Sequence, residues 1–145
     1  MANVISKLLP LPGFRMPDAS HLNTWATAIN NAFSGATQTT PRATATDGIT
    51  AHAGGGQTNA VLLTSMVNRV STVATAADSV KLPVSAAGLV VQLVNGAASN
   101  SMQVFGSGTD TINDVATATG VAQAAGVSAT YFCPVAGKWY RVLSA

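Results

Sequence analysis

Carboxylates, imidazoles and one thiol are the groups in this 145-residue chain best suited to acid–base, metal or nucleophilic chemistry, and they are few. The acids are Asp18, Asp47, Asp78, Asp110 and Asp114, with no glutamate; the imidazoles are His21 and His52, and the thiol is Cys133. Two histidines without a neighbouring ligand at ligand spacing do not make a metal site. Asp18 and His21 stand three apart, as a helix-capping carboxylate and a solvated ring would. Asp110 and Asp114 could suggest glycoside chemistry or Ca²⁺ binding, yet they flank Asn113 in a turn, where Asp is common for backbone reasons. Cys133 sits in an apolar, strand-like stretch with only Lys138 as a nearby cation, which suits a small buried hydrophobe better than a reactive thiol.

The glycine clusters give the same answer. His52-Ala53-Gly54-Gly55-Gly56 superficially matches the oxyanion loop of some esterases, but no Gly-x-Ser-x-Gly nucleophile motif accompanies it. Gly106-Ser107-Gly108 reads as a turn, and no Gly-Lys-Ser/Thr follows any glycine cluster, so nucleotide hydrolysis has no motif. The reading is therefore no enzyme, no cofactor and no metal. A small hydrolase is kept as a remote alternative, because a fold alone never excludes an active site.

Only 8% of the residues are charged, where about 25% is usual for a soluble domain. The net charge of +2 comes without a cationic cluster, so the phosphate-neutralising term of nucleic-acid binding is missing. With a single cysteine no disulfide forms within one chain, and cytoplasmic synthesis is the simpler inference. The longest apolar run, Gly88 to Val91, is far below the roughly 20 residues of a membrane span, and the proline-broken Leu8–Pro12 stretch is too short for a signal-peptide core. A neutral coat of Thr, Ser, Asn, Gln, Ala and Gly suits a protein held in a large assembly.

The chain divides into four parts. Residues 1–17 form an apolar arm with three prolines, expected to be extended and to bury Leu8, Leu9, Leu11 and Phe14 either on its own domain or on a neighbouring subunit. Residues 18–35 read as one amphipathic helix from the Asp18 cap to Gly35, with Leu22, Trp25, Ile29 and Phe33 on its apolar stripe. That stripe packs either on the parent domain or at an oligomer axis, and these eight residues are the candidate oligomer or capsid interface. Residues 36–57, rich in Gly, Thr and Ala, read as linker. Residues 58–145 read as a β domain.

Within that domain Gln57–Met66 suits a short helical turn and Val67–Ala74 a strand. Short strands then recur at 79–82, 89–94, 102–105, 111–112, 121–125, 128–135 and 138–143, each closed by turn residues. Such spacing predicts a mainly β fold, an antiparallel sandwich or jelly roll, with Asn95-Gly96 a type I′ hairpin candidate unless the polar stretch after it makes a longer loop. Along 128–135, Tyr131, Cys133 and Val135 alternate with Thr130, Phe132 and Pro134; along 138–143, Trp139 and Arg141 oppose Tyr140 and Val142. Trp25, Phe105, Phe132 and Trp139 are the expected large anchors of an interior built otherwise from Val, Ala, Leu and Ile.

Gly48-Ile49-Thr50-Ala51-His52-Ala53-Gly54-Gly55-Gly56-Gln57 and Asp78-Ser79-Val80-Lys81-Leu82-Pro83 resemble small structural proteins of tailed bacteriophages and prophages. Downstream, Gly88–Asn95, Met102–Phe105, Asp110–Asn113, Tyr131–Cys133 and Gly137–Tyr140 follow the order those proteins use. The resemblance implies a virion component made in the bacterial cytoplasm and carried on the capsid surface, a decoration or cement protein stapling major capsid subunits. It also implies a homo-oligomer, a trimer before a dimer. The alternative within the same particle is a tail, collar or head-fibre component that touches a receptor, against which stands the lack of a long repeat of the kind a fibrous shaft needs.

Overall fold

The computed structural model describes residues 43–144; the 1–17 arm, the 18–35 helix and all eight candidate interface residues, Leu8, Leu9, Leu11, Phe14, Leu22, Trp25, Ile29 and Phe33, lie outside the described part. The described chain is mainly β, without a helix, and runs through ten strands: β1 (Ala45–Thr50), β2 (Val61–Leu62), β3 (Val67–Thr72), β4 (Ser79–Lys81), β5 (Val90–Asn95), β6 (Met102–Phe105), β7 (Thr111–Ile112), β8 (Val121–Gln123), β9 (Ser128–Val135) and β10 (Lys138–Leu143).

Their pairing corrects the expected sandwich or jelly roll. Strands alternate between a six-stranded sheet, ordered β1-β3-β5-β9-β10-β7, and a four-stranded one, ordered β2-β4-β6-β8. Through β6 the chain thus leaves each sheet after one strand, crosses to the other, and returns to pair parallel with the strand it left: β1 with β3 with β5, and β2 with β4 with β6. This is a β-solenoid-like arrangement, with coils of roughly two dozen residues, near the lower end of the usual repeat range. Between the named strands antiparallel pairing enters only late, where β9 joins β5 and β10, and β8 joins β6.

Nothing local distinguishes the two topologies. Period-2 alternation and short strands serve parallel coils as well as hairpins, because what separates them is where the next strand goes after its turn. At Asn95-Gly96 neither residue takes the positive φ that a type I′ turn requires. The site is a corner between sheets, and the Asn95 side chain is buried in it.

Three further expectations change. β1 forms inside the stretch read as linker, because nearly all its side chains are exposed and it carries no alternation; pairing with β3 makes it a strand. Its neighbour His52 exchanges both backbone hydrogen bonds with Ser79 at 2.9 Å, tying the glycine-rich corner to β4. The 57–66 stretch holds β2 and no helical turn, with Leu63 buried behind it. Phe132 is no interior anchor but an exposed ring, whereas Phe105 and Trp139 are buried as expected.

One core fills the space between the sheets. From the smaller sheet a valine ladder, Val61 to Val80 to Val104 to Val121, runs across all four strands in register. It meets Val70, Leu93, Tyr131, Cys133 and Trp139 from the larger sheet. β-branched side chains stacked at the strand spacing pack without wasted rotamer freedom, which is why valine suits repeated coils.

A buried polar knot crosses this core. Gln123 Nε2 donates to the carbonyls of Leu93 (3.0 Å) and Val127 (2.9 Å), while Tyr131 Oη donates to Gln123 Oε1 at 3.0 Å. Asn95 Nδ2 donates in turn to the carbonyls of Gln123 (2.9 Å) and Asn100 (3.0 Å). β5 and β9 of one sheet are thereby joined to β8 of the other. Burial pushes the Tyr131 hydroxyl up to about 12, so it remains a donor throughout the neutral range.

Removing that amide strands several groups. Gln123→Leu keeps the volume but takes this partner from the Leu93 carbonyl and the Tyr131 hydroxyl, while the Val127 carbonyl still accepts from Asn95 N at 3.0 Å, and it should cost about 3 kcal/mol. Tyr131→Phe orphans only Gln123 Oε1 and should cost about 1–2 kcal/mol. Equilibrium urea unfolding of both variants checks the order.

Candidate functional site

Of the residues that sequence reading weighed for chemistry, Asp18 and His21 lie outside the described residues, and among the described carboxylates Asp78 and Asp110 are taken up by corners. Asp78 is buried and accepts from Thr75 N (3.0 Å), Thr75 Oγ1 (2.7 Å) and Gly54 N (3.2 Å), so it closes its own corner and holds the glycine-rich one. Those bonds, Thr75's first, hold its carboxyl below the usual value of 3.8. Gly55, at φ 71°, passes so close that a Cβ there would meet the Ala77 carbonyl at 2.9 Å. Gly55 thus answers a packing requirement, whereas Gly54 and Gly56 supply left-handed backbone in open space, with the Gly54 amide already engaged.

Asp110 accepts from Ser85 N and Oγ, both at 2.9 Å, and the same Ser85 Oγ accepts from Gly137 N at 2.6 Å. Asp114 lies elsewhere, binding Lys138 Nζ at 2.7 Å and Tyr140 Oη at 3.0 Å. The two carboxylates share no site. Between them Asn113 and Asp114 adopt left-handed φ values of 51° and 56°, as the turn reading requires. Lys138 first and Tyr140 second hold the Asp114 carboxyl low, and Asp114 in return raises both of theirs. At the far edge of the sheet, Arg69 pairs with Asp47 at 3.0 Å and, with the Gly48 amide, lowers that carboxyl too.

Cys133 is buried, with Sγ 3.2 Å from the Val135 carbonyl. Among the described residues no three His, Cys, Asp or Glu side chains come together in a way that would hold a metal. The other corner amides act in the same manner: Asn100 Nδ2 donates to the Val73 and Ala74 carbonyls, and Gln57 Nε2 to those of Gly106 and Gly108.

What the fold leaves available is a surface. On the outer face of the larger sheet Val90, Phe132 and Tyr140 stand in one cross-strand row, and Val67, Gln92, Thr130 and Val142 in the next. The Phe132 and Tyr140 rings stack with centroids 6.0 Å apart and planes 28° off parallel, a cross-strand aromatic pair. Val142 is 60% exposed and Phe132 38%. Beside this row lies an open groove of about 470 Å³, lined by Thr44, Ser65, Met66, Pro83, Leu89 and Val90 among others.

Sequence reasoning placed its candidate interface on the arm and helix, outside the described residues, and did not single out this exposed row. The signal was present in the 128–135 alternation, which set Phe132 opposite Tyr131. No family model, curated protein or solved structure matches the chain.

The Asp78 corner predicts an acid limb. A carboxyl held low in the folded state contributes stability that is complete above its unfolded value near 3.8 and is lost as pH falls through its folded value. Wild-type stability should therefore decline in that acidic window. Asp78→Asn should be less stable at neutral pH and show a flatter decline, as measured by thermal unfolding across pH 2–6.

Proposed function

We propose that this chain is a structural subunit of a phage-type virion, a decoration protein that binds the capsid surface and staples major capsid subunits. The observation that carries the reading is the division of labour among its polar residues. Among the described residues, the carboxylates and amides that might serve chemistry close corners or sit in local ion pairs, while an apolar sheet face with its charges at the corners stays open. Such a face is a contact surface.

The resemblance supplies the particle. Its two leading segments, Gly48–Gln57 and Asp78–Pro83, fall on the glycine-rich corner and on the Asp78 corner that grips it. Attachment would work by mass action: a subunit that binds the expanded shell but not the open one stabilises the shell, and many copies multiply a modest term per site. Under this reading the chain is made in the host cytoplasm and assembles as a homo-oligomer. The residues of the arm and helix stripe, Leu8 to Phe33, are its proposed capsid contacts.

A second reading, a tail, collar or head-fibre component, gains from one observation. The stacked parallel coils are a structural repeat that the sequence does not display, and stacked coils are how fibrous elements extend. Copy number separates the two. Densitometry of purified particles should show hundreds of copies, and added protein should bind empty heads; a handful of copies at a vertex or tail would sink the decoration reading in favour of the fibre.

A further inference from the structure

The exposed face of the larger sheet has a partner written into its charges and its edges. We infer that it pairs with the same face of a second copy of this chain, two larger sheets stacking across a two-fold axis. The inference refines the oligomer of the proposed function by naming the surface that forms it, and it replaces the trimer implied by resemblance with a two-fold pair.

The edges come first. A β protein can associate edge to edge or face to face, and here both edges of the larger sheet and the β8 edge of the smaller one are guarded. β1 is broken by register shifts around Ile49 and by Gly48 at φ 75°, with Asp47 folded onto the Gly48 amide. At the far side Asn113 Oδ1 takes the Arg141 amide, and on the smaller sheet Arg141 Nη1 covers the Ala122 carbonyl of β8 at 2.7 Å. The central rows of the face have no such guard. No lysine, arginine or aspartate stands in the Val90-Phe132-Tyr140 row or the Val67-Gln92-Thr130-Val142 row, although one inserted charge would be enough to discourage sheet stacking.

The charges that do stand on this face lie at two of its corners. Arg69, paired with Asp47, shares the row of Val94 and Ser128 at the β1 side; Lys138 and Asp114 flank Tyr140 at the β7 side. These positions are diagonally opposite. A two-fold axis crossing that diagonal lays each ion pair of one copy over the other ion pair of its partner, one cation and one anion on each side, so the arrangement is self-complementary. Between them Phe132, Tyr140, Val90 and Val142 interdigitate as in any two packed sheets. A partner of net charge would gain nothing from a face whose two corners are each already neutral.

Analytical ultracentrifugation of the full chain over a range of concentrations tests this. The wild type should form a dimer, and Phe132→Asp and Val142→Asp, both exposed and without a role in the core, should each weaken it by roughly 100-fold, the effect of a central contact residue. Leu62→Asp, equally exposed on the outer face of the smaller sheet, should leave it unchanged, and circular dichroism should show the same fold in all three. A chain that stays monomeric, a trimer, or an oligomer indifferent to Phe132→Asp and Val142→Asp would overturn the inference; the last would assign the contact to residues 1–42. Head binding reads the other claim separately: a monomeric Phe132→Asp protein that still binds empty heads keeps the decoration function, whereas an intact dimer that binds none removes it.

Discussion

Parallel pairing imposes a crossing. A strand that lies parallel to its predecessor cannot be reached by a tight hairpin, so the chain must leave the sheet, traverse the molecule and come back, and every crossing exposes backbone groups that no ladder satisfies. In this protein most crossings have a dedicated side chain. Asp78, Asp110, Asn95, Asn100, Gln57 and Gln123 take the orphan amides and carbonyls of the corners, and the coil depends on them. The Asn95–Gln123–Tyr131 knot matters most, since it is where the parallel coils give way to the antiparallel β8, β9 and β10.

This use of polar residues accounts for the unusual composition. Asx and amide side chains are short, carry several hydrogen-bonding atoms and accept left-handed backbone, so they close corners that glutamate or lysine would not. A fold built from such corners spends its few carboxylates internally or in local pairs. The surface that remains is neutral because the charges were never numerous, and its apolar rows stay exposed for lack of anything in the described chain to cover them. Chemistry and architecture compete for the same side chains, and architecture holds them.

The strands were legible because side-chain alternation is a local property. Ser128–Val135 and Lys138–Leu143 emerge with the bounds that their alternation indicates, and Cys133 and Trp139 turn inward as expected. β1 was not legible, since its exposed residues carry no pattern and only β3 makes it a strand. Phe132 misled for a related reason: size suggests burial, whereas its parity with Tyr140 sets it on the outer row. The coil's repeat was hidden because successive turns share a register and not a sequence, as Val67-Asn68-Arg69-Val70 lying beside Gln92-Leu93-Val94-Asn95 makes plain.

Local chemistry alone therefore determined that this is a chain of short strands and tight corners, poor in charge, with its acids placed where backbone needs them. Whether those strands fold back on their neighbours or coil past them was decided by the tertiary structure. A turn records only its own dihedral angles, whereas parallel pairing depends on where a segment some two dozen residues away comes to rest, and that choice is made by the shared core of valines and the buried amides that tie one sheet to the other.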